Sequence, residues 1–244
     1  MLENFLTNSD PQIVHSPGFD HSKPKVWWTL LDKINKLKPI KSNYDSSVIT
    51  WNNKEAGFCE KSLRAKNIKH EVLGSNIQTW NNLMKFKLTV DFCKKRKNTF
   101  CIGLDSFDVI FLGDPLICIE RFVGKNKKLI FNAEKKFYPD CNSKYFEDCK
   151  NHQSKMNNSE FRFLNSGAWI GYTDYCEFFF EEASKVFLWE KDDCNIHPLI
   201  KNCDQSVIHG LYKKYDFDVN IDYNCRIFQN LSNTGEEIKL NILY

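Results

Sequence analysis

The stretch FCIGLDSFDVIFLGDP, residues 100–115, combines a buried type of strand with two acidic residues near the end of that strand. The apolar run 100–104 is followed by Asp105, and Asp108 comes three residues later. In an open α/β sheet, ligands gather outside the carboxyl ends of the strands, so both carboxylates are expected to face a cleft. Carboxylates with few cations nearby suit a hard divalent ion such as Mg²⁺ or Mn²⁺. The alternative is that Asp105 caps a turn and Asp108 is solvated.

On both sides of this stretch, from Ser47 onward, short apolar runs alternate with longer amphipathic ones. Such βαβ alternation predicts an α/β fold, with a mixed, mostly parallel sheet flanked by helices. The predicted strands are 48–51, 69–73, 100–104, 128–133 and 166–172, with short strands inside 218–231, and the predicted helices are 54–66, 80–95, 115–123, 175–190 and 205–215.

Length and composition favour a single domain. The chain has 244 residues, of which 42% are hydrophobic, and no Pro/Gly/Ser-rich linker divides it. The formal charge of +3 is spread over lysine-rich patches that are typical of solvated helix faces, so no nucleic-acid partner is expected. No secretory signal and no membrane span of ~20 apolar residues is predicted. The Asn/Lys/Ile/Phe-rich bias suggests an AT-rich genome, and a cytoplasmic or viral-factory location is expected.

The ten cysteines are scattered, with no CxxC pair and no metal-ligand spacing, so most are expected to be reduced. Two pairs, Cys141/Cys149 and Cys194/Cys203, are close enough in sequence to bridge in an oxidising compartment. Sequence alone does not decide their geometry.

Five segments occur in the same order, and at similar spacing, in a known family. They are IGLDSFDVIFLGDP (102–115), LIFNAEKKFYPD (129–140), FRFLNSGAWIGY (161–172), the Asp204-Gln205 pair and YNCRIFQNL (223–231). Together they resemble the glycosyltransferase domain of the collagen lysyl hydroxylases, over roughly Ser47 to Ile242. The resemblance implies a GT-A fold and a metal-dependent hexosyltransferase that uses Mn²⁺ or Mg²⁺. The implied donor is UDP-glucose or UDP-galactose, and the implied acceptor is hydroxylysine or galactosyl-hydroxylysine on a collagen-like protein.

The resemblance also implies roles for residues on the donor side of the cleft. Asp105 and Asp108 match the family's metal-binding motif, and Lys85 matches a cation offered to the donor diphosphate or sugar. An ordinary exposed helix lysine is the alternative for Lys85. Thr50 and Trp51 end the first strand where the family holds the uridine, although Trp51 could equally belong to the core.

A second group of matching residues concerns the sugar and the acceptor. Asn165, Ser166 and Gly167 are expected to form a small polar turn that approaches the transferred sugar, with Asn165 in a catalytic role. Asp204 is the candidate for contacting the acceptor hydroxyl or opposing positive charge in the transition state. Cys203, before it, replaces a family aspartate, which puts acceptor choice in question.

The family's third metal ligand is a histidine that follows the CRIFQNL strand, and the segment DPQIVHSPGFDHSKPKVWW (10–28) is similar to the segment carrying it. This similarity implies that the chain is circularly permuted, with residues 1–37 as the family's C-terminal segment and 38–47 as the joint. His15 is then a metal ligand, with His21 as fallback, while Gly18 and Lys23 bind the diphosphate. The alternative is an N-terminal arm with solvated histidines.

Two other functions compete with the transferase. Fe(II)/2-oxoglutarate hydroxylation needs a His-x-Asp motif, and none of the six histidines has Asp two residues later. A non-catalytic GT-A-like module that binds glycans or a partner remains the alternative, supported mainly by Cys203. The oligomeric state is not predicted.

Overall fold

The computed structural model of the chain describes residues 2–17, 45–96, 98–186, 202–232 and 238–240. The strands are β1 Leu2–Asn4, β2 Ile13–His15, β3 Ser46–Trp51, β4 Glu71–Leu73, β5 Phe100–Asp105, β6 Val109–Phe111, β7 Leu129–Glu134, β8 Phe163–Tyr172, β9 Val219–Ile221, β10 Phe228–Asn230 and β11 Ile238–Leu240. The helices are α1 Phe58–Ala65, α2 Met84–Cys93, α3 Pro115–Val123, α4 Lys144–Met156, α5 Thr173–Ser184 and α6 Asp204–Tyr215.

A six-stranded mixed sheet, in the order β4-β3-β5-β8-β7-β9, forms the centre of the fold. Strands β3, β4 and β5 are parallel, β8 runs antiparallel to both β5 and β7, and β9 is parallel to β7. One apolar cluster packs α2, α5 and α6 against the sheet, and a second packs α1 and α3. The predicted α/β class is therefore correct, and the ends of β3 and β5 lie side by side.

The predicted elements are present, with changes at their ends. The helix expected over 54–66 begins only at Phe58, after a loop, and the helix expected over 175–190 runs from Thr173 to Ser184. Helix α3 matches its prediction because Asp114 caps it and Pro115 occupies the first turn. A helix between β7 and β8, α4, was not predicted.

The segment 2–17 is built into the fold. Strand β2 lies between β10, to which it is parallel, and β6, to which it is antiparallel, and β1 pairs with β11. The side chains of Ile13 and Val14 are fully buried, and each contributes about 1.5–3 kcal/mol of hydrophobic stabilisation. The alternative of a solvated N-terminal arm is therefore wrong for this part of the chain.

Two further expectations concern cysteines and membranes. Cys141, Cys149 and Cys203 form no disulfide within the part of the chain that the structure describes, and Cys194 lies outside it. Among the described helices, none has both the length and the apolar composition that a bilayer crossing requires.

Candidate functional site

His15, Asp105 and Asp108 meet at one end of the central sheet. One ligand atom of each residue lies within 4.8 Å of the other two, and the Nε2 atom of His15 is 3.4 Å from Oδ2 of Asp108. The two aspartates are half-buried and the histidine is buried. Residues that are distant in sequence thus form one compact group of nitrogen and oxygen donors.

Strand pairing explains why His15 reaches this position. Asp105 is the last residue of β5, and Asp108 precedes β6. His15 is paired with Val109 across the β2–β6 ladder, and the backbone amide of Ser16 donates to the carbonyl of Asp108 at 2.8 Å. The end of β2 is therefore fixed by main-chain hydrogen bonds beside residues 105–108, which we call the acidic turn.

Gly167 allows the backbone of β8 to lie in close contact with the side chains of His15 and Asp105. A Cβ atom at this position would lie 2.2 Å from Cε1 of His15 and 2.9 Å from Oδ2 of Asp105. The expected polar turn at 165–167 is wrong, because these residues lie inside β8. The register between β7 and β8 shifts between Phe131 and Asn132, which locally disrupts the ladder beside the site.

The chemistry of the donor set fits a divalent cation. His15 is only 2% exposed, and its Nε2 atom makes no hydrogen bond within the described residues, although it faces a carboxylate. Burial lowers the pKa of His15, but the carboxylates of Asp108 and Asp105 outweigh burial, so the pKa is raised overall. Two carboxylates and one imidazole suit Mn²⁺ or a similar ion. The Nδ1 atom of His15 lies 3.3 Å from Nδ2 of Asn132, so the ring also has a second neighbour that orients it.

Lys85 connects the acidic turn to α6. Its Nζ atom donates to Oδ1 of Asp105 at 2.6 Å and to Oδ2 of Asp204 at 3.1 Å, and the side chain is 12% exposed. Burial lowers the pKa of Lys85, but the two carboxylates raise it more, so the group is held as an ammonium. The alternative of an exposed helix lysine is therefore wrong.

Two predicted uridine contacts do not have accessible side chains. Trp51 is 4% exposed, its ring lies 6.0 Å from that of Trp169, and its Nε1 atom donates to Thr89. Thr50 is fully buried. Because almost none of the Trp51 side chain is exposed, Trp51 belongs to the core, as the alternative stated. Stacking of its ring on a base is not supported.

Glu134 is a functional candidate that sequence reasoning missed. Its buried carboxylate accepts hydrogen bonds from Gln205 at 2.6 Å and from Asn165 at 3.2 Å, while Asn230 lies at 3.5 Å. Burial raises the pKa of Glu134 to about 7, although the bonds from Gln205 and Asn165 oppose the rise. The available signal was its place at the end of the strand LIFNAE, which parallels the place of Asp105 at the end of β5.

The polar residues of β8 are tied into the same network. The side-chain oxygen of Gln205 accepts from the amide of Ser166 at 3.1 Å, and that of Asn165 accepts from the amide of Gly167 at 3.0 Å. Asn165 is 3% exposed. Asn165 therefore joins the backbone of β8 to the carboxylate of Glu134.

Asp204 begins α6, so a carboxylate stands at a helix N-terminus. Burial raises the pKa of the preceding Cys203, which therefore carries a neutral thiol in place of a charge. Tyr138 is exposed nearby, and its carbonyl accepts from Gln205 and His209. Gly18, His21 and Lys23 lie outside the described residues.

Comparisons with known proteins identify the family of the chain. A family model described as the PLOD GT domain matches residues 47–243. Procollagen-lysine,2-oxoglutarate 5-dioxygenase 1 of Bos taurus is 27% identical over 231 residues, covering 89% of this chain and 29% of that protein. The Mus musculus protein of the same name is 29% identical over 149 residues, covering 59% of this chain and 18% of its own length. The chain thus spans less than a third of the length of these relatives. Because the family model covers well over half of the chain, the chain belongs to the PLOD GT domain family of glycosyltransferase domains.

Proposed function

We propose that this protein is a metal-dependent glycosyltransferase. It moves glucose or galactose from a UDP-sugar to hydroxylysine or galactosyl-hydroxylysine of a collagen-like protein. The observation that supports this most strongly is the grouping of His15, Asp105 and Asp108 at the edge of the sheet of a glycosyltransferase domain. A bound Mn²⁺ would neutralise charge on the diphosphate leaving group.

The residues around the metal site are assigned separate tasks. Lys85, held as an ammonium between two carboxylates, offers positive charge to the donor diphosphate. Asp204 lies across Lys85 from Asp105 and is assigned to the acceptor hydroxyl or to positive charge on the sugar. Ser166 and Gly167 present backbone beside the transferred sugar, with Asn165 positioning them. Gly18 and Lys23 are assigned to the diphosphate from the resemblance alone.

Circular permutation is part of the same proposal. Three observations support it: β1 pairs with β11, β2 lies beside β10, and the family model begins only at residue 47. Residues 1–37 then supply the strand and histidine that complete the metal site. Because β3 begins at Ser46, the joint proposed over 38–47 ends at Asp45.

The function is tested by UDP release from UDP-glucose and UDP-galactose with Mn²⁺, with and without a galactosyl-hydroxylysine peptide. Asp105→Asn and Asp108→Asn should each lower turnover by at least about 100-fold, because each removes a charged metal ligand. Asp204→Asn should lower kcat while Mn²⁺–UDP binding is kept, since its role lies in the transition state.

Asp140→Asn is the matched control, because Asp140 forms an exposed ion pair with Lys150 and lies outside the site. Wild-type turnover in the Asp105 or Asp108 variant would refute the metal assignment. If the wild type binds a glycan without releasing UDP, the protein is the non-catalytic module that Cys203 favours.

A further inference from the structure

Helix α1 contains a buried carboxylate with no role in the function described so far. Glu60 is 0% exposed, and no lysine or arginine of the described residues lies within ion-pair distance of it. Its oxygens accept from Nδ2 of Asn52 at 2.9 Å, from the amide of Gly57 at 2.9 Å and from Oγ of Ser106 at 2.8 Å. Each described partner of Glu60 is therefore a donor, which suits an ionised carboxylate.

Burying an ionised carboxylate such as that of Glu60 costs free energy, so the groups that hydrogen-bond to it indicate its role. An ionised carboxylate without a cation is tolerated only when hydrogen bonds replace its lost hydration. Capping α1 needs only the bond from Gly57, as in the second half of a capping box. The bonds from Asn52 and Ser106 come from two different strand ends, so the carboxylate joins elements that helix capping alone would leave separate.

Ser106 follows Asp105 and is one of the two residues between the aspartates of the candidate metal site, and the start of α1 holds it in three ways. Its hydroxyl binds Glu60, its carbonyl accepts from the amide of Cys59 at 2.9 Å, and its backbone packs against Gly57. A Cβ atom on Gly57 would lie 2.3 Å from the Ser106 carbonyl oxygen, so only glycine allows this approach. The N-cap and first turn of α1 therefore hold Ser106, inside the acidic turn, through both its side chain and its backbone.

A further hydrogen bond from α1 holds β6, the strand that follows the turn. The hydroxyl of Ser62, also on α1, accepts from the amide of Phe111 at 2.9 Å, on β6. Asp105 is held at the other side by the β3–β5 ladder, where it pairs with Trp51. Between these two attachments, Glu60 contacts Ser106, the residue directly after Asp105.

We propose that Glu60 is a positioning residue for the metal-binding turn, acting through Ser106 to keep Asp105 and Asp108 at the spacing a divalent ion requires. This inference rests on the metal site of the proposed function. Outer residues that orient ligands typically change metal affinity by about 10–100-fold when replaced. Glu60→Gln should therefore weaken Mn²⁺ binding by about that factor, because its amide group turns a donor toward Asn52 or Gly57.

The test compares Glu60→Gln, Ser106→Ala and the double variant with the wild type. Mn²⁺ affinity is measured by electron paramagnetic resonance of free Mn²⁺, and amide hydrogen exchange of residues 105–111 is measured in metal-free protein. Tyr212→Phe is the control: it removes the buried hydrogen bond of 2.8 Å to Tyr223 and leaves the acidic turn untouched. Both single variants should weaken Mn²⁺ and speed exchange of the turn, and the control should do neither.

Non-additivity distinguishes positioning through Ser106 from general loss of stability. The double variant should bind Mn²⁺ about as weakly as the worse single variant, because both substitutions break the same link. Additive losses, or a folded Ser106→Ala variant with wild-type affinity and exchange, would overturn the inference, even if Glu60→Gln does not fold. If the wild type binds Mn²⁺ and the variants behave as expected, yet no UDP-sugar is used, the proposed function fails while the role of Glu60 stands.

Discussion

Among single residues, Glu134 shows how burial and hydrogen bonding compete at one side chain. Its amide partners favour the ionised carboxylate, whereas burial favours the neutral acid, and burial dominates because the pKa is raised to about 7. In the unfolded chain the same group would have its ordinary pKa of 4.5. Between these two values the folded protein holds a proton that the unfolded chain releases.

The sign of the resulting pH dependence follows from linkage. Since the folded pKa is the higher one, the contribution of Glu134 to stability is present below pH 4.5 and is lost as pH rises through about 7. The unfolding free energy of the wild type relative to Glu134→Gln should fall by up to about 3 kcal/mol over that window. Denaturant unfolding of metal-free protein at several pH values measures the difference. Glu160→Gln, at an exposed carboxylate, is the control, and a pH-independent difference between wild type and Glu134→Gln would contradict the assignment.

At the scale of elements, β8 shows where sequence patterns stop being sufficient. The Asn165-Ser166-Gly167 triplet has the composition of a turn, yet the side chains of Ser166 and Asn165 donate hydrogen bonds to Gln205 and Glu134 from other elements. The strand therefore continues through a polar stretch. Helix α3, in contrast, has its own cap and first-turn proline, so local sequence was enough to predict its ends.

The close approach of β8 to the metal site gives a prediction for Gly167→Ala. The added methyl group must displace the imidazole of His15, which is buried and has little room to move. Mn²⁺ affinity should fall at least about 10-fold, equivalent to about 1.4 kcal/mol. Isothermal titration calorimetry with Mn²⁺ and UDP measures the effect.

Gly124→Ala is the matched glycine control for this experiment. A Cβ atom there would have its nearest neighbour at 3.5 Å, and the backbone is helical, with φ of −62°. Its Mn²⁺ affinity should equal that of the wild type. If Gly167→Ala also bound Mn²⁺ as tightly as the wild type, Mn²⁺ binding would not depend on the present position of His15.

At the scale of the whole molecule, the sequence predicted the α/β class and the meeting of His15 with the acidic pair. The first followed from alternating periodicity, and the second from the family resemblance of residues 10–28. The hydrogen-bond networks around Glu60 and Glu134 were not predicted. They depend on how α1, α6 and β7 pack, and no local pattern encodes which helix terminus faces which strand.

The pairing of β1 with β11 makes the permutation testable by relinking. Leu2 is opposite Leu240, so joining residue 244 to residue 1 would leave only 241–244 and 1 between the strands, a usual hairpin length. A relinked protein opened between Pro39 and Ile40 should fold and bind Mn²⁺ as tightly as the parent. Thermal unfolding and Mn²⁺ titration of both proteins provide the comparison. A folded relinked protein without Mn²⁺ affinity, beside a parent that binds, would contradict the proposed order.

The central claim is that His15, Asp105 and Asp108 together hold the catalytic metal. Anomalous diffraction from crystals grown with Mn²⁺ and UDP tests it most directly, because the manganese signal locates the ion independently of any assumed ligand. We predict one strong peak at the cluster, within bonding distance of His15 Nε2 and of an oxygen from each aspartate, with a metal–nitrogen distance close to the roughly 2.0–2.1 Å that is typical of Zn–N bonds. A manganese ion bound to the aspartates without His15, or bound elsewhere in the molecule, would contradict the account.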